Sequence, residues 1–278
     1  IFLVAGLENI ERFYLIVTIS ISSQPVIYKM LAVKNCLYKI RKLSYTRKEK
    51  EEDMKAILKK LEYILLTLFV LFLSQIPFIF IRQMTASEKN FSAGQTIFVL
   101  LVYLLIIFFV LRMAKQEELL SLDFSFFKWS SFGWLAVSNV VMIGVNMLGA
   151  IIMLLEGQAI STANQDALNA LFQHVPKILL VVGAVIQAPI LEEVVFRGLI
   201  PQKIFTKHYV WGLVVGVILF GLFHGPTNIG SFVIYAGMGA VLAAVAYIFK
   251  RLEMSILAHM LRNGVAVLIM ILTGLVNK

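Results

Sequence analysis

The chain is poor in cysteine, charge and metal-binding motifs, and each shortage removes a class of protein. Cys36 is the only cysteine, so an intrachain disulfide and a thiolate zinc cluster are both excluded. Far from any histidine, it is not expected to act as a nucleophile. Charged residues make up 15% of the chain, against about 25% in soluble domains. No internal repeat or low-complexity tract is present, which argues against a transporter built from duplicated halves. The four histidines include no His-Glu-x-x-His pair, so the usual helix-borne zinc protease signature is missing.

What fills the space is apolar. Hydrophobic residues reach 60% and the mean hydropathy is +0.87, and several apolar runs approach the ~20 residues needed to cross a bilayer. The expected fold is all-α, a polytopic membrane bundle of about seven transmembrane helices. Their approximate bounds are 61–81, 96–111, 132–155, 177–205, 209–224, 229–249 and 254–276. The polar loop 156–176 has room for a short surface helix near 167–172. The net charge of +9 comes from basic residues gathered at segment ends, which reads as topology signal and lipid contact. No nucleic acid is expected as a partner, because no groove-reading motif or basic helix face is present. Lys55, Lys59, Lys60, Arg112, Lys115, Lys128, Lys203, Lys207, Lys250 and Arg251 fall before the first span and in every second connection after it, all on one side, which is expected to be the cytoplasm.

Three divisions are expected: 1–53 as a non-native or disordered N-terminal extension, 54–176 as N-terminal transmembrane helices and loops, and 177–278 as the catalytic core. The first follows from broken apolar runs and the charged stretch Arg41–Asp53. Lys50-Glu51-Glu52 can also be encoded by AAG GAG GAA, which contains the ribosome-binding sequence AGGAGG just before the Met54 codon. Met54 is therefore the expected start, and a bacterial plasma membrane the expected location.

Within the fourth apolar run sits Glu192-Glu193-Val194-Val195-Phe196-Arg197. An ionised side chain at a helix centre costs roughly 2.5–3.5 kcal/mol even on the mildest scales, and such residues mark reaction or transport paths. Three pairs have i, i+4 spacing, which puts both members on one helix face: Glu193/Arg197, Phe220/His224 and His259/Asn263. Arg197 can neutralise Glu193, which leaves Glu192, about 100° around the helix, free to face a different cavity. Taken singly, each pair reads as packing or a structural hydrogen bond. Together on three apolar segments they supply a carboxylate, two imidazoles and an amide, the inventory for hydrolysis of an amide by an activated water. His174 and His208 fall in loops and are expected at the surface.

Depth poses a difficulty. At 1.5 Å per residue, Glu192 and His224 lie about 20 Å from the turn near 205–209, whereas His259 lies about 12 Å from Arg251. A tilt, a kink or a helix extending beyond the membrane has to absorb the difference.

Glu192-Glu193-x-x-x-Arg197, Phe220-x-x-x-His224 and His259-x-x-x-Asn263, in that order, resemble the motifs of the CPBP (Abi) intramembrane proteases. That family includes the type II CAAX prenyl endopeptidases and bacteriocin-processing relatives. The resemblance covers about residues 177–270. It implies an intramembrane endopeptidase acting on a membrane-associated peptide or protein, such as a bacteriocin or pheromone precursor. Glu192 would activate the water with help from His224, His259 and Asn263 would bind the oxyanion, and Glu193, Arg197 and Phe220 would support the site. A divalent metal such as Zn2+ is not strictly required; Glu192, His224 and His259 would hold one. The alternative is a non-catalytic membrane regulator or bacteriocin-immunity protein that acts by binding. Arg262 departs from the family pattern, in which an apolar residue is usual.

Overall fold

The computed structural model describes residues 24–85, 91–121, 123, 125–126, 128–173 and 175–273. It is all-helical among these residues: α1 Gln24–Thr85, α2 Ala93–Gln116, α3 Trp129–Leu155, α4 Ala163–Phe172, α5 Lys177–Ile204, α6 Tyr209–Phe223, α7 Ile229–Phe249 and α8 Leu252–Leu272. Six stretches are long and apolar enough to cross a membrane, namely Glu49–Thr85 within α1 and helices α2, α3, α5, α7 and α8; α6 is apolar but shorter. The expected helical membrane bundle is therefore what the chain forms. His174 and the expected extension of the last span to 276 lie partly or wholly outside the described residues.

The chain divides into two compact units, residues 1–61 and 62–278. Of the first, residues 24–61 are helical as the leading part of α1. Cys36 is exposed on this helix rather than in an irregular stretch. Lys55 there forms exposed ion pairs with Glu51 at 3.1 Å and Glu52 at 3.7 Å. Residues 1–23 lie outside the described residues, so the reading of 1–53 as an extension concerns their helical part, 24–53, alone.

In the second unit, α5 is the central helix. Of its most apolar window 67% is buried, whereas the other spans bury 22–44%. Leu105, Phe108 and Trp129 are more than 60% exposed, and in a bilayer these side chains face lipid at no hydrophobic cost. Helix α7 packs on α3, α6 and α8, and α6 packs on the C-terminal half of α5. The α3–α7 contact is close because Gly149 and Gly230 face each other: a Cβ on either would collide with the other's carbonyl oxygen. Without a hydrophobic drive between helices in lipid, such small-residue approaches supply the packing that holds a bundle together.

α5 is not a uniform α-helix. Residues Val181–Gln187 and Val194–Ile204 are π-helical, with regular α-helix at Ala188–Glu193 between them. The wide register shows in the bonds Ala188 N–H to Gly183 O and Phe205 N–H to Ile200 O at 3.0 Å, each spanning five residues. Pro189 and Pro201 lie in or beside these segments, where a missing N–H already breaks the α ladder. A π-helix fits more residues per turn and rises less per residue than an α-helix. The eleven residues after Glu193 therefore span less length than an α-helical count gives, which shortens the distance from the glutamates to the turn before α6.

Candidate active site

Glu193 is the most enclosed of the site residues. Its side chain is wholly buried, and Oε1 accepts from Arg197 Nη1 at 2.9 Å and from His259 Nδ1 at 2.9 Å. Oε2 accepts from the Ser255 hydroxyl at 2.5 Å. Arg197, also fully buried, spends Nη2 on the Gly239 carbonyl at 2.8 Å and lies 4.5 Å over the Phe220 ring. Helices α5, α7 and α8 are thus joined around one ion pair. A buried charge survives only when paired and hydrogen-bonded, and here both partners meet that condition.

Glu192 has a different environment. It is 8% exposed, and its buried Oε2 has no hydrogen-bond partner. That atom lies 3.9 Å from His224 Nε2 and 3.9 Å from His259 Nε2. The distances are too long for direct hydrogen bonds. They frame a gap bounded by one carboxylate oxygen and two ring nitrogens.

The other ring nitrogens settle what that gap sees. His224 Nδ1 lies 2.8 Å from the Phe220 carbonyl, and His259 Nδ1 faces the Glu193 carboxylate. A carbonyl or carboxylate oxygen only accepts, so each Nδ1 carries a proton. When the rings are neutral, both Nε2 atoms therefore present lone pairs to the gap.

His224 caps α6, where Gly225 turns the chain with φ +61°, a left-handed conformation favoured by glycine. Its ring packs against two aromatic neighbours: Phe220 lies 4.6 Å away and tilted, and Tyr235 stacks at 4.2 Å with 15° between planes. Phe220 itself is fully buried and also contacts His259 at 5.8 Å between centroids.

Asn263 follows His259 by one turn of α8 and donates Nδ2–H to the Ala184 carbonyl of α5 at 2.8 Å. Arg262, its neighbour, lies against α3. With the Asn146 amide assigned from its bonding pattern, the amide oxygen accepts from Arg262 Nη2 and the amide nitrogen donates to Met142 O at 3.2 Å. Arg262 sits near the middle of α8. His208 is exposed in the turn before α6, as expected.

The structure thus brings together Glu192, Glu193, Arg197, Phe220, His224 and His259, and puts Asn263 on the same helix as His259. Ser255 and Tyr235 complete the set and were not singled out by sequence. Ser255 is four residues before His259, so helical spacing alone could have found it. Tyr235 belongs to no motif, and no sequence signal points to it.

For a metal ion the fit is poor. Neighbouring ligand atoms around a tetrahedral zinc lie about 3.3 Å apart, given bonds of about 2.0–2.1 Å, whereas the two nitrogen–oxygen separations here are 3.9 Å. Among the described residues no group of three His, Cys, Asp or Glu has an arrangement that holds an ion. The gap suits a water molecule better.

Fold and site together define a helical membrane protein with a buried carboxylate–imidazole centre. Residues 174–265 match the family model described as "Rce1-like: Type II CAAX prenyl endopeptidase Rce1-like", so the likeness read from the three motifs is shown over the segment that carries them. Two curated relatives extend it. The UPF0177 protein YvdC of Lactococcus lactis subsp. lactis (strain IL1403) is 26% identical over 200 residues, covering 71% of this chain and 74% of the relative. The "Putative membrane peptidase YdiL" of Bacillus subtilis (strain 168) is 24% identical over 166 residues, covering 59% of this chain and 66% of the relative. No solved structure gives a significant match.

Proposed function

We propose that the chain is an intramembrane endopeptidase that hydrolyses a peptide bond of a membrane-associated peptide or protein. The observation that carries this reading is the unpartnered Glu192 Oε2, 3.9 Å from both His224 Nε2 and His259 Nε2. An orphaned carboxylate oxygen in a dry core is costly, and a water held between it and His224 relieves that cost and is the nucleophile.

In this reading Glu192 takes a proton from the water as its oxygen bonds to the scissile carbonyl carbon. The resulting oxyanion needs donors. His259 supplies one when its Nε2 carries a proton. Asn263 supplies another through the Nδ2–H not directed at Ala184. The carbon–nitrogen bond then breaks as Glu192 returns its proton to the leaving amine. General acid–base catalysis of this kind contributes about 10²–10⁴-fold, and each oxyanion donor about 10²–10³-fold. Glu193, Arg197 and Ser255 hold His259 in place and do not touch substrate. The names of the matched family and of the B. subtilis relative support a peptidase, and the two bacterial relatives support a bacterial plasma membrane.

The test is processing of a co-expressed membrane-associated peptide precursor by the full chain and by Glu192→Gln, His224→Ala and His259→Ala. Processing lost in all three, with each still folded in the membrane, supports the reading; normal processing in all three overturns it. Loss of processing with intact protection against a bacteriocin would separate the catalytic role from an immunity role.

A further inference from the structure

The stack of Tyr235 on His224 ties a surface loop to the reacting centre. The Tyr235 hydroxyl lies 2.6 Å from Thr162 Oγ1 and accepts from Asn164 Nδ2 at 3.3 Å. Thr162 is 6% exposed and caps α4, its hydroxyl accepting from Gln165 N–H at 3.2 Å. Helix α4 is in turn tied to α8 where Gln165 Nε2 donates to Met270 Sδ at 3.4 Å. Tyr235 is 9% exposed, with its ring parallel to the imidazole and its hydroxyl held from the loop.

We infer that Tyr235 is a positioning residue for His224, and that the Thr162–Asn164 segment latches it in that role. The inference rests on the proposed peptidase reading. Its physical basis is rotational. His224 sits at a helix end, where its backbone is followed by a left-handed glycine, and one hydrogen bond from Nδ1 to the Phe220 carbonyl fixes one nitrogen but not the plane of the ring. The parallel ring of Tyr235 and the tilted ring of Phe220 packed against it fix that plane. Nε2 is thereby held toward Glu192 and the tautomer with the proton on Nδ1 is maintained. Tyr235 cannot turn away without giving up two bonds to the loop.

The geometry also links the site to the surface. Thr162 and Asn164 belong to the connection between α3 and α5 that carries α4.

The experiment uses the full-length chain in detergent micelles, labelled with [15N]histidine, which reports on four residues only. In the wild type the His224 ring protons are shifted upfield by the stacked tyrosine, and Nδ1 carries the proton. Tyr235→Leu should remove that shift, mix the tautomers, and lower kcat about tenfold or more with KM nearly unchanged, since a misplaced acid–base group loses rate rather than binding. Tyr235→Phe keeps the stack and loses the latch, so its His224 signal broadens and its kcat falls less. Thr162→Val combined with Asn164→Ala should reproduce Tyr235→Phe, and because both changes leave the Tyr235–His224 stack in place the pair serves if Tyr235→Leu does not fold. Wild-type His224 resonances and kcat in Tyr235→Leu would overturn the positioning role. Wild-type behaviour of the Thr162→Val/Asn164→Ala pair beside an impaired Tyr235→Phe would overturn the latch. If the wild-type protein cleaves nothing, the peptidase reading fails, while the resonances still decide whether Tyr235 fixes His224.

Discussion

Asn263 donates its amide Nδ2–H to the Ala184 carbonyl at 2.8 Å, the acceptor that Pro189 leaves vacant. Ala188 bonds five residues back, to Gly183, and in that register the next donor would be residue 189 reaching Ala184. Proline has no N–H to give. A side chain from α8 therefore completes the backbone ladder of α5 at Ala184, eight residues before Glu192.

The two residues should be coupled energetically. Removing one partner of a buried hydrogen bond costs about 1–3 kcal/mol because the other is left unsatisfied. Asn263→Ala alone should destabilise the chain by that order, and by less when Pro189→Ala restores a backbone donor. A double-mutant cycle of unfolding in detergent measures the difference; additive effects would disprove the coupling.

The adjacent glutamates should fail in opposite ways. Glu192→Gln keeps the shape and removes a carboxylate that has no ion-pair partner at hydrogen-bond distance, so cleavage should fall by at least about 10²-fold with thermal stability near wild type. Glu193→Gln leaves Arg197 buried without its counter-ion, a loss of about 3–5 kcal/mol in comparable pairs. Thermal unfolding alongside the processing assay separates the two. Equal loss of stability in both variants would contradict the division.

Metal removal should be without effect. With the donor atoms 3.9 Å apart, prolonged treatment with a strong chelator should leave processing unchanged, and the purified protein should contain no stoichiometric zinc by elemental analysis. Activity lost on chelation and restored by Zn2+ would show that the side chains close around an ion.

The loop between α2 and α3 should loosen in acid. Asp123 is held below the usual carboxylate range, chiefly by the Ser125 hydroxyl, then by Ser121, the Ser125 N–H and Arg251. Because its folded pKa is depressed, its contribution is complete above the unfolded value of about 3.9 and is lost as pH falls below it. Arg251 also bonds Glu253 at 3.2 Å. Limited proteolysis or hydrogen exchange of residues 117–128 should therefore rise below about pH 4, while exchange in α5 stays unchanged. An unchanged loop at pH 3 would rule this out.

Much of the site was legible in the sequence because helical spacing is a geometric statement. Glu193/Arg197 meet as an ion pair, and the other two pairs lie one turn apart on their helices, Phe220 meeting His224 through its carbonyl. The order of the apolar runs likewise gave seven apolar helices, six of them of spanning length, with ends a few residues off except at the first, expected from 61 but helical from Gln24 and apolar from Glu49. What spacing does not encode is the register between helices. The approach of Glu192 to two imidazoles, 3.9 Å from each, depends on how α5, α6 and α8 are set against one another. Pro189 and Pro201 were visible as letters, but a proline in an apolar run can kink, bulge or merely cap. Nor does a tyrosine one-third of the way along an apolar helix advertise what it stacks against, since Tyr235 acquires its role only when α6 and α7 close on each other.

The two wide stretches of α5 also set an angular phase. Each makes its turn with roughly one residue more than an α-helix would use, so the six residues between them, including both glutamates, are held at a rotation that composition alone does not fix. Excising a single residue from Val181–Gln187 would change no charge and little hydropathy. It would nonetheless swing the glutamates by about 100° relative to the N-terminal end of the helix, turning the reacting oxygen away from both imidazoles. In this helix, residue count is as much a determinant of chemistry as residue type.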